Sequence, residues 1–338
     1  MLNKMKLTLF TNENKNFPAF FYFDYDTTTA HFYYKLADIQ LREKDISQIA
    51  HVAVKNMNET LFMCIDKKYS KVFVLGQEEK EDNLSIMKSH LQKCVRRGER
   101  VLAMETGKYM LEAGQTAELL RRLFIICLED TILNKEIVTL TWLMVMANKK
   151  YQFDDNINSW ILGFIALISE VKYFDPPDFS GEQFQKKNLM SIVKKLDPME
   201  RDIIMSLVIR ISYGGMGGDL KMLNNFISRW LARFSHNDDV YEQFQLINPL
   251  VKQTIDSSLS KNSMLLAAFD FHCTNIIKMI QKKVDLDDEQ LRKLIWNHSS
   301  STNFRIIKEL DPDETKLWIQ VQPHFKACAE FLRGKIII

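Results

Sequence analysis

The sequence predicts an α+β, mainly α protein: a small antiparallel β-rich N-terminal region followed by a large all-helical bundle of packed helix pairs. Three observations carry this. Residues 1–83 contain short runs rich in Phe, Tyr, Val and Thr, bounded by Asn, Asp, Lys and Thr turn signals. From Leu84 onward the apolar residues recur at helical period. A chain of 338 residues with 46% hydrophobic residues can bury a large core and divide into two or three domains. The expected domains are a β-rich one over 1–83, a helical one over 84–235 and a C-terminal helical one over 236–338.

Composition narrows the function classes. A formal net charge of +2 supplies no global basic field, so any nucleic-acid contact must come from a local patch. Five cysteines without a CxxC pair argue for reduced core thiols over a disulfide framework or a zinc knuckle. No metal and no cofactor is expected. The start, MLNKMKLTLFTNENKNF, is too weakly apolar for a signal peptide, and Ile132–Ala147 and Trp160–Ile168 fall short of a bilayer span. The expectation is a soluble, intracellular protein with no membrane contact.

In the first region KLTLF, AFFYFDY, AHFYYKLADIQL, HVAVKNM, TLFMCI and KVFVLG read as four to six antiparallel strands. Phe20, Phe21, Tyr22, Phe23 and Tyr25 form either a platform for stacked bases or the core of a small sheet. GQEEKEDN, residues 76–83, is a charged bridge to the helices.

Ile86, Leu91 and Val95 outline an apolar helix face. Lys93, Arg96, Arg97 and Arg100 fall at i, i+3, i+4 and i+7, one stripe if the helix continues through Gly98. The stripe is either a phosphate-contacting face or a solvated one. In the next helix Gly107-Lys108 is not a P-loop, because Leu102 and Tyr109 stand where glycine and Ser/Thr are needed. Gly114 should end that helix and Thr116 should cap the next. AELLRRLFIICLED is apolar on most sides, pairs Glu118 with Arg122, and offers Arg121 and Arg122 as further phosphate or partner contacts.

Over residues 89–130 this pattern resembles the helical collar of clamp-loader-like AAA+ ATPases, of the maintenance-of-genome-stability and Werner-interacting type. The likeness rests on Lys93 and Arg96, Ala103 and Leu111, Gly114, Arg121-Arg122-Leu123 and Glu129-Asp130. It implies oligomerising helices in the setting of DNA replication and repair. Walker A, Walker B and sensor segments are absent from the chain, so the resemblance implies a collar without its motor.

Further along, Ile132–Ala147 and Ile157–Val171 read as buried helices carrying Trp142, Met144, Met146, Trp160 and Phe164, and YFDPPDFSGE as a loop. Helices follow over Phe184–Leu196 and Met199–Ser212, the second opened by Asp197-Pro198. Gly214, Gly215, Gly217 and Gly218 make either a tight turn or a loop for an anion at a helix N-terminus. Leu220 to Phe234 is an amphipathic helix. Tyr241–Val251, Met264–Gln281, Asp287–Trp296, Phe304–Leu310 and Glu314–Leu332 complete the helical series, with a short basic tail. His272 and Cys273, adjacent on a helix, point about 100° apart and cannot act as a pair.

No HExxH, GxSxG or paired-carboxylate motif marks a catalytic residue. The leading reading is a non-catalytic replication or repair scaffold that self-associates or assembles with other proteins and contacts DNA through its basic helix face. That reading places it in the nucleus or at sites of DNA replication, and otherwise in the cytoplasm. A structural or assembly protein without DNA contact, of a virus with an AT-rich genome, comes second. An enzyme with an unrecognised active site comes third.

Overall fold

The computed structural model describes residues 17–40, 45–76, 83–180, 186–270 and 274–336. KLTLF, most of the charged bridge, and His272-Cys273 lie outside these residues. The fold is α+β and mainly α, 58% helical, with thirteen α-helices and two small sheets among the described residues.

The chain forms two compact units that interleave along the sequence. One draws on 1–71 and 178–236, the other on 72–177 and 237–338. This differs from the three consecutive domains expected.

The first unit holds β1 (Phe20–Asp24), β2 (Thr29–Tyr33), α1 (Leu36–Gln40), β3 (Ile46–Val54) and β4 (Glu59–Asp66). The sheet order is β2-β1-β4-β3. Each outer pair is an antiparallel hairpin, but β1 and β4 run parallel, Phe21 facing Met63. The expectation of antiparallel strands is corrected at this central pair, where β2, α1 and β3 serve as the crossover that parallel strands need. As an inner strand β1 is covered on both faces: Phe21, Tyr22 and Phe23 are all buried. Phe21 stacks on Phe32 at 3.8 Å, and Tyr22 packs with Ile39 and Cys64. These aromatics fill the sheet's core and are not a base-stacking platform.

The second unit begins with β5 (Val74–Leu75), then α2 (Leu84–Arg97), α3 (Arg100–Glu112), α4 (Thr116–Asp130), α5 (Ile137–Asn148), β6 (Tyr151–Gln152) and α6 (Asp155–Glu170). β5 and β6 pair antiparallel. Every residue of α5 from Ile137 to Ala147 is buried, which fits a sequence without a polar face. Asp154 caps α6 by accepting from Ile157 N–H at 3.1 Å. Gly114 turns left-handed (φ 68°) after α3, whereas Thr116 is the first helical residue of α4 rather than its cap.

The chain then returns to the first unit with α7 (Lys186–Val193), α8 (Pro198–Ser212) and α9 (Gly217–Ser235). Side chains bind α8 to the sheet: Arg201 Nη2 donates to Phe32 O (2.8 Å), Asn56 Nδ2 donates to Val208 O (3.1 Å), and Asp202 accepts from His31 Nδ1 (3.2 Å). These long-range bonds assign α8 to the strands, away from the helices with which sequence order grouped it. Asp197-Pro198 opens α8 as expected, with Asp197 N–H donating to Glu200 Oε2 at 3.3 Å.

The second unit finishes with α10 (Asp239–Gln245), α11 (Thr274–Ile280), α12 (Asp288–Ile295) and α13 (Pro312–Gly334). α10 stops six residues before the expected Val251, since Asn248 precedes Pro249 and is disfavoured in the α region. The helix expected over Met264–Gln281 is replaced by a short 3₁₀ turn, Leu266–Asp270, and α11. α12 carries a capping box between Asp287 and Gln290 and runs into a π-turn, Trp296–Ser300. The helix expected over Phe304–Leu310 is not formed. No helix among the described residues is long and apolar enough to cross a membrane.

Candidate functional site

The six cations proposed for phosphate contact do not share an exposed stripe. α2 ends at Gly98, which is left-handed (φ 72°) and donates to Val95 O, while Glu99 N–H donates to Cys94 O at 2.9 Å. The helix therefore does not continue, and Arg100 starts α3 on a new axis. Lys93 and Arg96 are buried, 7% and 6% exposed. Arg96 binds the Asp130 carboxylate through Nε, Glu129 Oε1 through Nη2 (3.3 Å) and Ser300 O through Nη1 (2.7 Å). Arg97 Nη2 donates to Ser299 O at 2.6 Å. Arg100 pairs with Glu170 (3.3 Å) and donates to Gln253 Oε1 (3.0 Å).

On α4 the expected Glu118–Arg122 pair is replaced by Glu118 with Arg121 (3.3 Å) and with Lys88 of α2 (2.9 Å). Arg122 reaches Gln92 Oε1 at 3.4 Å. Arg121 and Arg122 remain half-buried. Charge that looked surplus in the sequence is matched within the unit by Glu118, Glu129, Asp130, Glu170 and backbone carbonyls.

These bonds converge on a clamp made by three consecutive residues. Asn303 Nδ2 donates to Asp130 O (2.9 Å), Phe304 N–H donates to Arg96 O (2.9 Å) and Arg305 Nη1 donates to Val95 O (3.0 Å). Arg305 also donates to Val171 O (2.6 Å) and Ile168 O (2.5 Å). The loop thus occupies carbonyls at the C-terminal ends of α4, α2 and α6, groups that a helix cannot satisfy itself. A cation suits that place because helix C-termini carry partial negative charge. Burial pulls the Arg305 guanidinium down to about 10, opposed by Asp130 and Cys127. Gln92 bridges Glu129 (2.9 Å) and Asp130 (2.7 Å), and burial, then Asp130, raises the Glu129 carboxyl above its usual range against Arg96.

Beyond the clamp the chain turns outward. Ile306, Ile307 and Leu310 face solvent, Ile307 being 100% exposed. Sequence reading missed Asn303 and Arg305 and took Phe304–Leu310 for a helix. The available signal was the polar Asn303 and Arg305 around a single Phe, with only five residues, 306–310, before the Asp311-Pro312 start of another helix.

Two other groups look reactive and are structural. His90 Nδ1 lies 2.8 Å from Thr106 Oγ1, and Thr106 gives its own proton to Leu102 O (2.6 Å), so His90 must donate there. Its Nε2 is then the acceptor facing Cys94 Sγ at 3.5 Å. Both residues are fully buried, and burial pulls the His90 imidazole down to about 4 and pushes the Cys94 thiol up. A thiol so shifted is a poor nucleophile. Gly214 (φ 72°) and Gly215 (φ 152°) form the tight turn between α8 and α9, with Arg210 Nη1 donating to Gly214 O at 2.6 Å.

No protein family, curated protein or solved structure matches this chain.

Proposed function

We propose that the protein is a non-catalytic scaffold that assembles with other proteins, with DNA replication or repair as its setting through the collar resemblance of residues 89–130. The observation that carries this reading is the Asn303–Arg305 clamp. It fixes the ends of three helices and leads directly into the exposed Ile306, Ile307 and Leu310, so an apolar contact is displayed from a rigid base. The internal pairing of Arg96, Arg97, Arg100 and Arg121 favours protein contact over phosphate contact.

Tagged wild-type protein and an Ile306→Ser/Ile307→Lys variant are compared by affinity capture from the source cell, and the partner is then titrated in purified form. Wild type is expected to bind it saturably and the variant at least about tenfold more weakly. Equal affinity would overturn the contact. DNA affinity that falls about a thousandfold between low and physiological salt, and is lost on replacing Arg121 and Arg122, would move the assignment to a DNA-binding protein.

A further inference from the structure

We propose that a surface cavity between the α3–α4 turn and the β5–β6 ribbon binds a small organic anion with a flat apolar body. The cavity encloses about 240 Å³ within the second unit, and Leu111 and Phe153 supply apolar wall. Thr116, Lys150, Gln152 and Asn158 supply the polar wall. None of these four side chains makes a hydrogen bond or ion pair with another described residue. A few polar side chains beside apolar ones in a concave wall are the composition of a small-molecule site.

Charge selects the class of ligand. Among the described residues, Lys150 is the one ammonium in the wall and no carboxylate lines it. Lys150 also stands where glycine or asparagine is usual. It is left-handed (φ 67°), its N–H closing the end of α5 on Ala147 O (2.8 Å) and its carbonyl accepting from Gly76 N–H (2.8 Å). A glycine would make that turn with less strain but would remove the cation from the rim.

The test uses the full chain, isothermal titration calorimetry and two probes of one shape, naphthalene-1-carboxylate and the neutral naphthalene-1-carboxamide. The carboxylate is expected to bind saturably at one site, at least about tenfold more tightly than the carboxamide. Lys150→Gly should weaken carboxylate binding by a similar factor while raising the thermal midpoint, which separates lost charge from lost folding. Lys150→Arg should retain binding. The proposal is overturned by absence of saturable carboxylate binding, by equal affinity for the two probes, or by unchanged affinity in Lys150→Gly.

Discussion

At the scale of single residues, buried groups whose proton affinity differs between folded and unfolded chains set the pH response. His90 is held neutral, its imidazole lowered to about 4 by burial. A group whose folded pKa is depressed contributes stability above its unfolded value and loses it as pH falls. The window therefore runs from about 6.5 down to about 4, and the loss is on the order of 3 kcal/mol at most. Replacing His90 with Gln should flatten this part of a urea-derived stability profile, and an unchanged slope would show that His90 is not its source. Glu129 acts with the opposite sign. Its carboxyl is raised by burial and by Asp130, so its contribution is complete at low pH and is lost as pH rises through the folded value. Glu129→Gln should stabilise the protein at neutral pH, by a margin that closes under acid conditions. A variant less stable than wild type at pH 7 would mean that the bond with Arg96 outweighs the cost of burying the charge.

At the scale of elements, helix ends are where local sequence was most informative. Asp197-Pro198 and Gly114 act through neighbours within a few residues, so their roles are legible in order along the chain. Phe304–Leu310 could not be read this way. Its apolar residues fit a helical spacing, but the Phe304 N–H and the Arg305 side chain are taken by carbonyls at the ends of two distant helices, α2 and α6. The candidate phosphate stripe failed for the same reason: spacing placed Lys93, Arg96 and Arg97 on one helix, and only the partners decide whether a cation faces water or Asp130. Gly98 offers a direct check. Alanine there would hold a left-handed φ of 72° and set its Cβ 3.2 Å from the Phe304 ring, costing about 1–2 kcal/mol. Alanine at Gly218, in the first turn of α9 with nothing within 4 Å, should instead gain up to about 1 kcal/mol. Both are read from urea midpoints, and equal responses would contradict the difference in backbone conformation.

At the scale of the whole molecule, the fold class followed from periodicity, whereas the grouping of elements did not. Periodicity reports which face of an element is apolar, and says nothing of which distant element covers it. Residues 178–236 join the strands through bonds such as Asn56 to Val208, about 150 positions apart. The second unit closes in the same non-local way, through Arg305. If that side chain holds the C-terminal ends of α2 and α6 together, then Arg305→Met, which keeps the bulk and removes the donors, should uncap both at once. Hydrogen exchange should quicken together at Cys94–Gly98 and at Leu167–Val171, segments distant in sequence that share Arg305 as a donor. α8 and α9, in the other unit, should keep their protection. Faster exchange confined to residues 303–310 would make Arg305 a local loop contact, and uniform loss everywhere would mean that the substitution simply lowers global stability. Only the paired response identifies the clamp as the element that joins α2 and α6 to the C-terminal part of the chain.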